Sequence, residues 1–115
     1  MSKPSNFLEW IQLFERKSGQ RFLLRHDYNL TLDSDGSFFQ WKYFKGILFL
    51  AECAGDRNVW QRFIDEFCAL NHVVVIVTYV RRNPRAFCKL FNAKVLYKYV
   101  DNCGTNVTCV YREVI

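Results

Sequence analysis

Five consecutive Val and Ile residues, Val73 to Val77, constrain this chain more than any other feature of its sequence. A strand open to water on one face alternates apolar with polar residues, whereas an unbroken run suits a strand covered on both faces, as in a parallel sheet. The neighbours of the run supply the cover. Val59, Trp60, Phe63, Ile64, Phe67 and Leu70 recur at spacings of three and four, with Gln61, Arg62, Asp65 and Glu66 on the other side, so residues 56–71 are predicted to contain an amphipathic helix. Before that helix, Ile47 to Cys53 reads as a strand. Strand, helix, strand is a βαβ unit, which makes strands 47–53 and 73–80 parallel through a right-handed crossover.

The flanking segments are punctuated by caps and turns. Asn6 followed by Glu9 is a capping-box pattern, Phe7, Ile11 and Phe14 form an apolar face, and Gly19 is a C-terminal stop, which predicts a helix over 7–18. Arg21 to Leu24 is a short apolar step, and Tyr28, Leu30 and Leu32 alternate with polar residues; both carry strand signals. Asp33-Ser34-Asp35-Gly36 turns the chain into an aromatic strand over 37–44, and Lys45-Gly46 turns it again into 47–53. Asn83-Pro84 opens a short helix with Phe87, Leu90 and Phe91 inward and Asn92 in the left-handed closing position. Val95, Tyr97 and Tyr99, then Val107, Cys109 and Tyr111, alternate about the turn Asp101-Asn102-Cys103-Gly104, a final hairpin. The predicted class is α/β (α+β), in the order α-β-β-β-α-β-α-β-β, as one domain over 1–115.

Composition narrows the function classes. With 115 residues, 50% of them hydrophobic and 23% charged, the chain can bury a core and is not of disordered type. The longest apolar run is too short to span a bilayer, and the start has no signal-peptide pattern, so a soluble, cytoplasmic protein without a membrane partner is expected. Sixteen Lys and Arg against eleven Asp and Glu give +5, which favours anionic partners, although the charges are scattered rather than striped. Five cysteines with no Cys-x-x-Cys give neither a zinc site nor a disulfide framework, and are read as reduced thiols, mostly small buried residues.

The element order from the first strand to the last hairpin, over about residues 20–115, resembles the Gcn5-type N-acetyltransferase (GNAT) fold. The stretch Arg82-Asn83-Pro84-Arg85-Ala86-Phe87-Cys88-Lys89-Leu90-Phe91-Asn92-Ala93-Lys94-Val95 is similar to that family's penultimate helix and following strand. The chain is also similar to the minimal single-domain GNAT-like proteins of tailed phages, which would place it in a host cytoplasm or a virion. The resemblance implies acetyl-CoA in the cleft between the two central parallel strands, its pyrophosphate on backbone amides before the long helix. Here that loop is Glu52-Cys53-Ala54-Gly55-Asp56-Arg57-Asn58, with one glycine of the family's pair and an aspartate beside the phosphates. Gly55, Arg57, Asn58 and Asn83 are its implied cofactor contacts; the competing reading of the loop is a plain strand-to-helix turn capped by Asp56 or Asn58.

The family's acid, a Tyr in the short helix, is replaced by Cys88 or Leu90, depending on which end is counted from. Cys88 and Tyr79, at the end of the buried strand, are the candidate acids, and Glu52 is the candidate base for an incoming amine. His26 and His72 are assigned no chemistry. Arg81, Arg82 and Arg85, with Lys89 a turn on, would suit CoA phosphates, a nucleic-acid backbone or an acidic protein surface. Two readings follow. One is a non-catalytic or weakly catalytic module that binds another protein chain or a second copy of itself through Trp41, Tyr43, Tyr97 and the arginines. The other is an acyl-CoA-dependent N-acetyltransferase acting on a primary amine. Nucleic acid is a third candidate partner, and no metal is expected.

Overall fold

Capping decides where the helices start and stop. In α1 (Phe7–Ser18) the Glu9 amide donates to Asn6 Oδ1 at 2.9 Å, and Gly19 closes the helix in the left-handed conformation at φ 70°. In α3 (Pro84–Phe91) the carboxamide of Asn83 accepts from the amides of Arg85 and Ala86, and Asn92 closes at φ 53°. The middle helix, α2 (Arg57–Leu70), begins after Asp56, whose side chain caps nothing, and ends at Asn71. The three helices lie where predicted, and α1 and α3 carry their predicted caps, whereas the side-chain cap expected of Asp56 at the start of α2 does not form. The computed structural model describes residues 3–81 and 83–114, and of Arg57 only the backbone.

Six strands follow the expected order: β1 (Asn29–Leu32), β2 (Phe38–Phe44), β3 (Ile47–Ala54), β4 (Val75–Val80), β5 (Lys94–Val100) and β6 (Asn106–Glu113). They form one mixed sheet in the spatial order β1-β2-β3-β4-β6-β5. β3 and β4 run parallel from Ile47↔Val75 to Leu50↔Thr78, as the crossover helix between them requires, and the other recorded pairings are antiparallel.

Two local expectations are corrected. Residues 21–24 form no strand, because side chains take their backbone groups: Phe22 N–H donates to Glu15 Oε2 at 2.7 Å, and the Gln40 carboxamide donates to Leu23 O at 3.0 Å and accepts from Arg25 N–H at 2.9 Å. The valine run is not buried throughout. Val74 is 52% exposed and β4 begins only at Val75, since Gly46 O takes the Val74 amide at 2.7 Å and holds that residue in the turn.

The chain divides into two compact units, Met1–Lys42 with Ala51–Asn71, and Tyr43–Leu50 with His72–Ile115. Aromatic rings build the core of the first. Phe38, fully buried, meets Phe7, Phe14 and Phe22 at centroid separations of 5.5, 6.1 and 4.8 Å, while Phe39, on the opposite face of β2, stacks on Phe63 of α2 at 4.8 Å. β2 thus has a helix on each face, which explains why Phe38, Phe39 and Gln40 are buried in succession. In the second unit Leu48, Ile76, Val77, Val80, Val107 and Val110 form the core around β6, and α3 packs on β5 and β6. No described helix is long and apolar enough to cross a membrane.

Gly36 joins α1 to the β1–β2 turn. It sits at φ 88°, and a β-carbon there would lie 2.2 Å from the Phe7 nitrogen and 2.3 Å from the Asn6 carbonyl carbon. Gly19 has a similar φ, but its β-carbon would meet nothing within 4 Å. Gly36→Ala is therefore expected to destabilise the fold by more than about 2 kcal/mol, through clash plus strain, and Gly19→Ala by about 1 kcal/mol, through strain alone. Urea denaturation of the two variants checks this, and equal losses would contradict the close approach.

Candidate functional site

Glu52, in the outgoing half of β3, is less free than a general base should be. The Arg25 guanidinium grips its carboxylate through both oxygens, Nε to Oε1 and Nη2 to Oε2, each at 2.7 Å. The buried Gln40 carboxamide adds a third bond to Oε1 at 3.1 Å. With its side chain 15% exposed, Glu52 is held in a bidentate pair that raises the Arg25 pKa, chiefly by the hydrogen bond itself. Taking a proton from an amine would require this pair to open. Arg25 gave no warning in the sequence, because it lies in an irregular segment whose course depends on Gln40.

The implied phosphate loop is shaped by its own packing. Gly55 has φ 156°, and a β-carbon on it would strike Ser37 Cβ at 2.8 Å and Oγ at 2.9 Å, so the glycine admits Ser37 rather than clearing a cradle. Ser37 is itself fixed, its hydroxyl donating to Asp35 Oδ1 at 2.6 Å. Asp56 turns to Lys3, which pairs with its carboxylate and offsets the charge expected beside the phosphates. The first turn of α2 receives no side-chain cap, Arg57 is described only by its backbone, and Asn58 is exposed. Asn83 spends its carboxamide oxygen on capping α3. A bare helix N-terminus remains, but the glycine pair does not, and the loop does not fit a pyrophosphate as the family's loop does.

The other candidates lie in the second unit. Tyr79, near the end of β4, is opposite Cys109 on β6, which is opposite Tyr97 on β5. The three side chains therefore share one face of the sheet in a row. The neighbouring Tyr79 and Cys109 side chains raise the Tyr97 pKa well above the tyrosine range, while burial raises that of Cys109. The row follows from the hairpin register, which the alternation Val95-Tyr97-Tyr99 against Val107-Cys109-Tyr111 would have revealed once the turn was placed. Cys88 is half-buried on α3, and Leu90 is 48% exposed. Arg81 Nε lies 3.8 Å from Asp101 Oδ2, Arg85 is exposed, and Arg82 lies outside the described residues.

Other expected surface residues are differently placed. Trp41 is half-buried against Phe67, with ring centroids 4.9 Å apart, and its indole N–H donates to Thr31 Oγ1 at 2.9 Å. The Tyr43 hydroxyl donates to His72 O, so among Trp41, Tyr43 and Tyr97 only Tyr97 is exposed. Among the described residues no disulfide joins the cysteines; Cys109 is buried, Cys53, Cys68 and Cys88 are half-buried as residues, and Cys103 is exposed. Among the described residues no cluster of His, Cys, Asp and Glu could hold a metal.

Comparison of structures agrees with this architecture. The chain is similar to the ribosomal-protein-S18-alanine N-acetyltransferase from Escherichia coli, at 14% identity and a TM-score of 0.54, over 78% of this chain and 71% of that one. It is also similar to an acetyltransferase from Bacillus cereus ATCC 14579, at 10% identity and a TM-score of 0.54, over 99% of this chain and 97% of that one. No protein-family model and no curated protein matches the sequence. The fold is that of the Gcn5-type N-acetyltransferases.

Next to Glu52, desolvation pushes the Cys53 thiol up from 9.0 to about 12, and the Glu52 charge adds to the rise. A thiol raised in the folded state contributes stability that is complete below the unfolded value and is lost as pH climbs toward the folded one. Stability should thus fall on the order of 1 kcal/mol per pH unit from about pH 9 upward. Cys53→Ala is expected to flatten that alkaline limb in urea melts, and an unchanged slope would contradict the desolvation of the thiol.

Proposed function

We propose that the chain works as a binding module on an N-acetyltransferase scaffold, taking up an extended segment of another protein, with acyl transfer weak or absent. One observation carries this reading. β5 is the last strand of its sheet, and every residue from Lys94 to Val100 is exposed, including the large apolar Val95, Leu96, Tyr97, Tyr99 and Val100. The outer side of an edge strand offers backbone donors and acceptors to a further strand, and apolar side chains on both faces add contact area. Exposed apolar residues grouped in this way mark interaction surfaces rather than ordinary surface.

The tied-up site supports the same reading. Glu52 is occupied by Arg25 and Gln40, the short helix carries Cys88 and Leu90 where the family has its Tyr, and the phosphate loop serves Ser37. Loss of one positioned transition-state donor costs about 2.7 to 4 kcal/mol, or 10² to 10³ in rate, and here two positions are affected. Thiols that form no disulfide among the described residues suit work in a reducing compartment such as a cytoplasm.

A second reading, slow transfer of an acetyl group from acetyl-CoA to a primary amine, is favoured by the uncapped first turn of α2 together with the likeness to two acetyltransferases. Two measurements separate the readings. Peptides selected from a random library are expected to bind and to slow amide hydrogen exchange along residues 94–100, with binding lost in Tyr99→Lys. Calorimetry with millimolar acetyl-CoA is expected to show no heat of binding. Acetyl-CoA-dependent acetylation of a polyamine, peptide or aminoglycoside, lost in Glu52→Gln, would overturn the binding-module reading in favour of the enzyme.

A further inference from the structure

The bare outer strand β5 carries a charge pattern as well as an apolar one, and its ladder to β6 sorts the two. Lys94 is opposite Tyr111, Tyr97 opposite Cys109 and Tyr99 opposite Val107, so Lys94, Tyr97 and Tyr99 lie on one face of β5. Val95, Lys98 and Val100, opposite Val110, Thr108 and Asn106, lie on the other. In an unbroken strand Lys94 and Lys98 would share a face; the register shift between Val95 and Tyr97 separates them. Each face of this exposed edge therefore presents one ammonium group and two large apolar side chains.

Neither lysine is in an ion pair among the described residues. Asp101, just past β5, is committed to the hairpin turn: its Oδ1 accepts the amides of Cys103 and Thr105, each at 2.9 Å, and its Oδ2 lies 3.8 Å from Arg81 Nε. Glu113 lies beyond the β5 ladder, opposite Val75 on β4. The imbalance runs through the whole second unit. By sequence, Arg82 included, that unit holds eight of the chain's sixteen Lys and Arg but only these two of its eleven Asp and Glu. A second copy of β5 would bring two more lysines and no carboxylate to the shared edge, where like charges repel. A nucleic acid would meet the charge, but it has no strand backbone to continue the ladder and no apolar side chains to cover Val95, Leu96 and Val100.

We propose that the strand taken up by β5 is an acidic one, an extended peptide that turns one carboxylate and apolar side chains to each face; this rests on the reading of β5 as a docking edge. β6 covers the interval from Lys94 to Lys98 between Tyr111 and Thr108, so a partner with the same spacing carries its two acids three residues apart. The test is NMR titration of the full chain, with amide exchange along residues 94–100, using three capped peptides and oligothymidylate. The peptides are Thr-Val-Glu-Thr-Val-Glu and its counterparts with both Glu replaced by Gln or by Lys. At low salt the Glu peptide should bind about three- to tenfold more tightly than the Gln peptide, as two exposed ion pairs allow, and the Lys peptide most weakly. The preference should largely vanish at about 0.5 M NaCl. Lys94→Glu with Lys98→Glu should invert the order in favour of the Lys peptide, and each reversal alone should shrink the Glu preference. Equal binding of the Glu and Gln peptides would overturn the acidic partner and leave the docking edge standing, whereas no protection of residues 94–100 by any peptide would overturn both. Tighter binding of oligothymidylate to these residues, or protection that grows with protein concentration alone, would assign the edge to a nucleic acid or a second copy and overturn the proposal. Should the doubly reversed chain fail to fold, the single reversals and the peptide order on the unaltered chain decide it.

Discussion

The second unit depends on one pairing, the parallel ladder between Ile47–Leu50 and Val75–Thr78. Its two strands are separated by residues 51–74, so their ends must meet across a long stretch of chain before any ladder bond forms. Loop closure of that length costs entropy in advance of the contacts that repay it. The structure lowers the difficulty at both ends of the pairing. Gly46 O receives the Val74 amide ahead of the first ladder pair, and the Thr78 hydroxyl donates to Leu50 O at 3.1 Å at the last. β6 pairs antiparallel with β4, and β5 pairs with β6 through a local turn that Asp101 closes with two side-chain bonds.

Local signals made most of this architecture readable. Asn6, Gly19, Asn83 and Asn92 act within a few residues of their own positions, so their capping roles survive any tertiary context. The βαβ order was also legible, because a change of hydrophobic period needs no knowledge of partners. Long-range bonds were not. Nothing near residues 21–25 announces that Gln40, far along the chain, will take the backbone groups of Leu23 and Arg25. The same glutamine, with Arg25, then decides the state of Glu52, so the candidate base could be located from its strand but not from its partners. Trp41 shows the converse error: aromatic content between two turns gave its strand, while its burial depends on Phe67 of a helix later in the chain.

Likeness of fold and identity of chemistry are separate questions here. The scaffold is shared with acetyltransferases at 10–14% identity, a level that testifies to architecture alone. The residues that the resemblance singles out have structural duties, Asn83 in a cap, Gly55 in a contact with Ser37, Glu52 in an ion pair. Among the described residues, what is left uncommitted includes the bare outer strand of the last hairpin.

That bare strand also bears on solubility. Lys-Val-Leu-Tyr-Lys-Tyr-Val has the high β-propensity and the length of segments that stack into cross-β fibrils. Lys94 and Lys98 interrupt the apolar series with charge, and the register shift between Val95 and Tyr97 breaks the flat template that a second such strand would need. The hairpin therefore carries its own gatekeepers. A chain that lost either lysine would keep its fold, yet in concentrated solution it would be drawn toward fibrillar self-assembly.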